Sequence, residues 1–282
     1  MIDTKTAPRV SVFPKCYFDR LCRGEMDYLE WIRSAATLGA EGVEHYDGFF
    51  RSYDEVDVAP VVGAMGETDQ ISSMLCFSPD FTHPDAAERA RQIERQKAAI
   101  DLAVRLGTRF CRTLSGQNRP GLTREDGVAW TVEGLERSLE HAQRRNVILC
   151  LENHYKDGTW QYAEFAQPED VFLEILERVD SPHLGVQYDP SNALVGDYDP
   201  VRFLEKVVSR VVTMHASDRY LADGVLVHGE TGKGQIDYDA IFGILSRAGF
   251  AGWISVEDGM NGLDELRRSV AFLKTKRAEY YL

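Results

Sequence analysis

The chain has 282 residues, a length that suits one α/β barrel of about 250 residues. Its 45 acidic residues outnumber its 32 basic ones, and the formal charge of -13 disfavours binding to nucleic acid or to anionic membranes. The five cysteines show no CxxC spacing, which indicates reduced thiols. No apolar run reaches the length of a membrane span, and the N-terminus lacks a secretory pattern. We therefore expect a soluble, cytoplasmic protein without nucleic-acid or membrane partners.

Apolar runs typical of buried strands recur along the chain, and helical patterns separate them. The predicted strands are 9–13, 42–46, 70–77, 109–114, 147–151, 184–189, 211–218 and 252–257. The predicted helices begin after Asp27 and then cover 58–65, 84–106, 124–145, 168–176, a segment that starts at Pro200, 237–248 and 264–276.

Eight strands that alternate with eight helices predict an α/β fold, a single (β/α)8 TIM barrel that covers 1–282 as one domain. Most connections are short, and 219–236 is predicted as the last long loop. A doubly wound open sheet is the alternative fold.

Each of the last four predicted strands ends in a carboxylate or an imidazole. The C-terminal ends of barrel strands surround one mouth, where the chemistry of such folds takes place. Three carboxylates and one histidine, without a matching set of positive side chains, would require a cation between them. Any one of these acids alone would more often be a helix cap or a salt-bridge partner. As a set, they predict one divalent metal bound by Glu152, Asp189, His215 and Glu257. This donor set suits Mn²⁺, Mg²⁺ or Co²⁺, and catalytic Zn²⁺ is also compatible.

Motifs around these residues resemble a known superfamily. They are LENH, YDPSN, HASD and SVED, together with GKGQIDY at 232–238. This set resembles the xylose isomerase-like TIM barrels, and among them the tagatose and psicose 3-epimerases and the inosose isomerases. The resemblance implies that the four matching residues bind one divalent ion, for which we expect Mn²⁺, and that Glu152 and Glu257 also transfer protons. It further implies a homo-oligomer, a dimer or a tetramer. The tract GKGQIDY lacks the third glycine and the preceding strand of a dinucleotide loop, so we expect no nucleotide cofactor.

The function implied by the resemblance is a metal-dependent isomerase or 3-epimerase of a keto sugar or polyol ketone. Proton transfer between Glu152 and Glu257 would pass through a metal-stabilised enediolate. A lyase is the alternative, because the same enolate can undergo β-elimination, dehydration or cleavage of a keto-glycoside. The acidic charge argues against an endonuclease of the same superfamily, and the intact donor set argues against a barrel without turnover.

Substrate contacts are expected from side chains near the same mouth. The expected contacts are Lys15, Glu44, Arg112, His154, Trp160, Asn192, Asp218 and His228. Many superfamily members carry a histidine where this chain has Asn192. Four alternatives remain open: His154 as a hydrogen-bond partner of Glu152, Asp218 in a salt bridge with Arg219, His228 as a further metal ligand, and Trp160 in an oligomer interface.

Overall fold

A closed barrel of eight parallel strands forms the centre of the fold. The structure, a computed structural model, describes residues 6–258 and 260–281. In chain order, the strands are β1 (Arg9–Val12), β2 (Gly42–Tyr46), β3 (Ile71–Cys76), β4 (Phe110–Thr113), β5 (Ile148–Glu152), β6 (Leu184–Tyr188), β7 (Val211–Ala216), β8 (Asp218–Ala222), β9 (Val225–Gly229) and β10 (Trp253–Val256).

Pairing between β1 and β10 closes the barrel, with Val10 beside Ile254 and Ser11 beside Ser255. The predicted (β/α)8 barrel is thereby confirmed, and the open doubly wound sheet is excluded. That 1–282 forms one domain stays a prediction.

Helices follow the barrel strands along the chain. They are α1 (Phe18–Cys22), α2 (Tyr28–Ala36), α3 (Glu55–Glu67), α4 (Ala86–Arg105), α5 (Arg124–Arg145), α6 (Glu169–Arg178), α7 (Pro190–Val195), α8 (Pro200–Val207), α9 (Tyr238–Arg247) and α10 (Leu263–Tyr281). Within 6–258 and 260–281, no helix combines the length and the apolar composition needed to cross a bilayer.

The predicted loop over 219–236 is wrong in its first half, where β8 and β9 form an antiparallel hairpin. Asp223 and Gly224 connect the two strands with φ values of 51° and 78°. Positive φ at both central residues is the geometry of a type I′ turn, which favours Asp-Gly. This dipeptide was the sequence signal for the hairpin, but the strands beside it are partly exposed and lack the apolar run of a barrel strand.

Helix α7 is a second difference from the sequence expectation. Asp189 caps it by accepting hydrogen bonds from the N–H groups of Ser191 and Asn192, and Pro190 occupies its first turn. The predicted ligand Asp189 therefore also shapes the backbone that follows strand β6.

Apolar packing lies outside the barrel, whereas its interior near the mouth is polar. Phe172, Phe203 and Phe242 on α6, α8 and α9 are fully buried, and burial of each contributes about 2 kcal/mol to stability. Inside the barrel, Glu44 and His215 are also buried. Buried charged groups need partners, so this part of the interior depends on electrostatic pairing.

Two loops at the mouth are joined to each other. Phe165 N–H donates to the carbonyl of Gly116 over 2.8 Å, and both the N–H and the hydroxyl of Ser115 donate to Glu164 Oε1. Gly116 has a φ of 118°. A Cβ at this position would lie 2.4 Å from the Thr82 hydroxyl oxygen and 2.7 Å from the Thr82 backbone nitrogen.

We expect the Gly116→Ala variant to lose about 3 kcal/mol of unfolding free energy, because the new methyl group combines backbone strain with a clash. Gly121→Ala is the matched control, since Gly121 has a φ of 86° but no heavy atom within 4 Å of the position that a Cβ would take. It should lose about 1 kcal/mol. Urea unfolding of both variants measures the difference, and equal losses would contradict the close approach to Thr82.

Candidate metal centre and substrate cavity

The four predicted ligands converge at the mouth of the barrel. Glu152 ends β5, Asp189 follows β6, His215 lies in β7 and Glu257 follows β10. One donor atom from each lies within 4.8 Å of the other three, and all four residues are buried. The structure thus brings together the set that the strand ends predicted, while its role as a metal site remains a proposal.

The Nδ1 atom of His215 faces the three carboxylates. It lies 3.1 Å from Glu152 Oε1, 3.3 Å from Glu257 Oε2 and 3.9 Å from Asp189 Oδ2. Burial alone would lower the pKa of His215, but the carboxylates of Glu44, Glu257 and Glu152 raise it well above its usual value. The surroundings of this nitrogen therefore favour a positive charge.

Asp189 supplies the most direct sign that a cation fits here. Its Oδ1 atom accepts the N–H groups of Ser191 and Asn192, but its buried Oδ2 has no hydrogen-bond partner within the described residues. Burial and the charges of Glu257 and Glu152 raise the pKa of Asp189 to about 6. A buried carboxylate oxygen without a donor is costly, and a divalent ion with oxygen and imidazole ligands would satisfy it.

Two cations accompany the cluster in pairs that the sequence did not predict, but they match only two of its three carboxylates. Arg112 Nη1 donates to Glu152 Oε2 over 3.0 Å, and Lys15 Nζ donates to Glu257 Oε1 over 3.2 Å. Although burial favours the neutral acid, Lys15 and His215 lower the pKa of Glu257 well below its usual value. Asp189 has no ion pair with lysine or arginine in the described part of the chain, which leaves the cluster short of positive charge.

Closure of the barrel makes one of these pairs available. Lys15 and Glu257 are 242 residues apart in sequence, and they meet because β1 pairs with β10. In an open sheet these two strands would be edges, and Glu257 would lack its cation. The electrostatics of the site therefore depend on the topology as much as on the identity of the ligands.

A cavity of about 310 Å³ opens beside the cluster, a size at the lower end of small-molecule sites. Glu257 lies in its lining, and aromatic rings form part of its wall. The predicted substrate contacts that line it are Lys15, Arg112, His154, Asn192 and His228. The aromatic residues are Phe13, Phe18, Tyr46 and Tyr155.

None of these four aromatic residues was among the expected substrate contacts. Phe13 follows β1 and Tyr46 ends β2, so their positions at strand ends could have indicated that both rings lie at the mouth of the barrel. Phe18 lies in the short helix α1, which no apolar period predicted. Its ring centroid is 5.0 Å from that of Tyr46 and 6.0 Å from that of Phe13.

Three predicted substrate contacts lie outside the lining of this cavity. Trp160 lines a neighbouring cavity of about 340 Å³. Asp218 is buried and accepts backbone N–H groups from Gly232, Gly234 and Ile236, so it holds that turn in place. The alternative of a salt bridge with Arg219 is not found within the described residues, because Arg219 contacts Asp218 through its backbone N–H. Glu44 lies inside the barrel, with Oε1 2.7 Å from His215 Nε2. The structure therefore gives Asp218 and Glu44 structural partners in place of the predicted substrate contact.

The two histidines of the cavity differ in their partners. His228 has one ring nitrogen 3.2 Å from Asp258 and the other 3.2 Å from Arg219, and burial lowers its pKa to about 4. Both nitrogens are thus occupied, which disfavours His228 as a further metal ligand. His154 Nδ1 lies 3.1 Å from Glu164 Oε2, and no hydrogen bond of its Nε2 is found among the described residues. Burial opposes a charge on His154, but Glu152 and Glu164 raise its pKa above the usual value.

The sequence profile of the xylose isomerase-like TIM barrel family matches residues 32–276. The chain belongs to this family. Hydroxypyruvate isomerase of Escherichia coli is 24% identical over 247 residues, which cover 83% of this chain and 88% of that protein. The 3-oxo-isoapionate decarboxylase of Pectobacterium atrosepticum is 29% identical over 231 residues, or 72% and 79% of the two chains. An L-ribulose-5-phosphate 3-epimerase of Shigella boydii is 26% identical over 246 residues, or 82% and 81%.

Solved structures share the fold. A D-tagatose 3-epimerase-like protein superposes with a TM-score of 0.80 at 18% identity, covering 96% of this chain and 98% of that one. D-psicose 3-epimerase of Clostridium cellulolyticum has a TM-score of 0.76 at 14% identity, with 97% and 100% covered. The sequence relatives are isomerases, epimerases and a decarboxylase, and they support an enzyme of the sugar isomerase and epimerase group.

We expect Mn²⁺ to stabilise the protein after treatment with EDTA. At a free ion concentration 100 times the Kd, binding adds about 2.7 kcal/mol, which for a chain of this size raises Tm by about 5 °C. Thermal unfolding followed by circular dichroism measures the shift.

Asp189→Asn should lose most of this shift, because it removes the charge of the carboxylate whose Oδ2 has no other partner within the described residues. Asp199→Asn is the matched control: Asp199 caps α8 outside the cluster, and asparagine caps equally well. A shift of the same size in Asp189→Asn and wild type would argue against this metal site.

Proposed function

We propose that the protein is a divalent-metal-dependent isomerase or 3-epimerase that acts on a keto sugar or polyol ketone, with Glu152 and Glu257 as the acid/base pair. One observation carries the proposal: the two glutamates are the outer members of the row of four strand ends, and each is bound by its own cation. The relatives that catalyse isomerisation and 3-epimerisation support the same reaction class.

A divalent ion held by the four side chains would act as a Lewis acid on a substrate carbonyl and on the hydroxyl of the neighbouring carbon. It would thereby acidify the C–H bond of that hydroxyl-bearing carbon. Glu257 lines the cavity, and Lys15 stabilises its ionised form, which is the form that accepts a proton. We therefore assign removal of the C–H proton to Glu257.

Glu152 is fully buried, and two cavity-lining residues contact its carboxylate: Arg112 at 3.0 Å and Asn192 at 3.2 Å. Because His215 and Asp189 separate it from Glu257 along the row of strand ends, it would approach the substrate from another side. Return of a proton by Glu152 would complete an epimerisation, and return by Glu257 to the neighbouring carbon would complete an isomerisation.

The remaining lining residues suit a carbohydrate. Lys15, Arg112 and Asn192 offer hydrogen-bond donors to hydroxyl or carbonyl oxygens. The rings of Phe13 and Phe18 on the other part of the wall can pack against the apolar C–H face of a sugar.

We expect the Mn²⁺-loaded enzyme to incorporate deuterium next to the carbonyl of its substrate in D₂O, with no other change in mass. Proton NMR with free keto sugars, their phosphates and keto-glycosides measures this. Glu257→Gln should lose both incorporation and conversion, by a factor of about 10² to 10⁴. If the reaction is an epimerisation, Glu152→Gln should lose conversion but still place deuterium in recovered substrate; if it is an isomerisation, conversion by Glu152→Gln should continue.

Glu133→Gln, on the exposed face of α5, is the control and should behave as wild type. Each variant is compared at saturating Mn²⁺, so that weaker metal binding is not mistaken for lost proton transfer. Full incorporation by Glu257→Gln would refute its role as base.

A lyase is the second candidate, and the position of His154 favours it. His154 lines the cavity, Glu164 holds its Nδ1 at 3.1 Å, and its Nε2 is left for a ligand. An imidazole in this arrangement can protonate a leaving group after Glu257 has formed the enolate. The relative named 3-oxo-isoapionate decarboxylase, whose reaction breaks a C–C bond, also supports this candidate.

The mass of the product separates the two candidates. If the protein is a lyase, mass spectrometry should show loss of water or release of an aglycone, and His154→Gln should slow this release by a factor of at least about 10² while deuterium incorporation continues. Retention of the full substrate mass in every product would exclude the lyase.

A further inference from the structure

The Nε2 atom of His215 faces away from the cluster, toward the barrel interior. Glu44 Oε1 lies 2.7 Å from it, and this contact joins β2 to β7 across 171 residues of sequence. Glu44 is only 2% exposed and does not line the substrate cavity. The mechanism proposed above gives this buried carboxylate no task.

Hydrogen bonding defines the direction of the contact. An ionised carboxylate only accepts, so Nε2 must donate its proton to Glu44. The Cys76 thiol donates to the same Oε1 atom over 3.0 Å. The Gln187 amide nitrogen lies 2.6 Å from Nε2, and the Gln187 amide oxygen accepts from the Thr213 hydroxyl over 3.1 Å. Two donors cannot share this contact, so an Nε2–H requires the two ends of the Gln187 amide to be exchanged, which turns its oxygen to Nε2 as a second acceptor and its nitrogen to the Thr213 hydroxyl oxygen.

A neutral imidazole carries one N–H, and its other nitrogen carries the lone pair that binds a metal. When the proton is on Nε2, Nδ1 presents its lone pair to the position shared with Glu152 and Glu257. Without an acceptor at Nε2, those two carboxylates would instead favour the proton on Nδ1, where it blocks metal binding.

We propose that Glu44, supported by Cys76, is a positioning residue that holds His215 in the Nε2–H form and so directs Nδ1 to the metal. This inference rests on the proposed metal centre. Carboxylates that accept from a ligating histidine typically strengthen metal binding by 10-fold to 100-fold, or about 1.4 to 2.7 kcal/mol.

A second reading of the same residues is a second metal site. Donor atoms of Glu44, Cys76 and His215 lie within 4.8 Å of one another. The existing hydrogen bonds already use Glu44 Oε1 for both neighbours, which favours the positioning role. The number of bound ions separates the two readings.

The test measures Mn²⁺ binding by isothermal titration calorimetry, for which no substrate is needed. We expect wild type to bind one ion, and Glu44→Gln and Glu44→Leu to bind one ion about 10-fold to 100-fold more weakly. Cys76→Ala should weaken binding a few-fold, whereas Cys76→Ser, which keeps a donor, should restore it. Ser73→Ala is the control, because Ser73 is a buried residue of the same strand as Cys76 and its hydroxyl donates to the Val43 carbonyl, away from the cluster.

Nitrogen NMR of histidine-labelled protein loaded with Mg²⁺ reads the ring directly, with His215 assigned by the His215→Asn variant. We expect a protonated Nε2 in wild type and in Ser73→Ala, and a change of this signal in Glu44→Leu. A merely structural role of Glu44 would lower stability without changing this signal or the metal affinity relative to Ser73→Ala.

Unchanged affinity in both Glu44 variants would overturn the positioning role while leaving the metal centre intact. Two ions in wild type and one in Glu44→Gln would replace it by the second metal site. Absence of any Mn²⁺ binding by wild type would refute the proposed metal-dependent function together with this inference.

Discussion

Buried carboxylates around His215 Nδ1 impose the constraint on which the mouth of the barrel depends. Charges removed from water are costly unless they are paired. Arg112 pairs with Glu152 and Lys15 pairs with Glu257, but the Oδ2 atom of Asp189 has no hydrogen-bond partner among the described residues. A divalent ion shared by all four side chains would complete the pairing, so the proposed metal would stabilise the same strand ends that form the mouth of the barrel.

The sequence was informative where one local pattern determines one structure. Apolar runs and helical periods sufficed for the barrel, and the polar residues at the last four strand ends sufficed to bring Glu152 and Glu257 into one site. The hairpin β8–β9 was missed because its strands are partly exposed and lack a buried apolar run. Arg112 and Lys15 were expected to contact substrate, and their pairing with the glutamates depends on neighbours that local sequence does not reveal.

The sequence was least informative about how far below the barrel mouth a strand residue lies. Glu152 is the last residue of β5, whereas Glu44 is the middle residue of β2 and is followed by two more strand residues. A rise of about 3.3 Å per residue places Glu44 some 7 Å below the end of its strand, under the cluster and out of reach of the cavity. The same residue type is therefore a candidate ligand at the rim and a hydrogen-bond acceptor for a ligand one layer deeper.

Proton removal is common to the isomerase, the epimerase and the lyase, so the cluster alone does not separate them. The difference lies in what surrounds the carbanion after it forms. Glu152 on one side would offer a proton to carbon, whereas His154, held by Glu164, would offer one to a leaving oxygen. Both groups lie at the end of strand β5, within three residues of each other, and the outcome depends on which of them the substrate's own substituents bring into range. The aromatic wall around Phe18 lines the same cavity and would set that orientation, so the shape of the cavity, and not the set of metal ligands, would determine which reaction this chain catalyses.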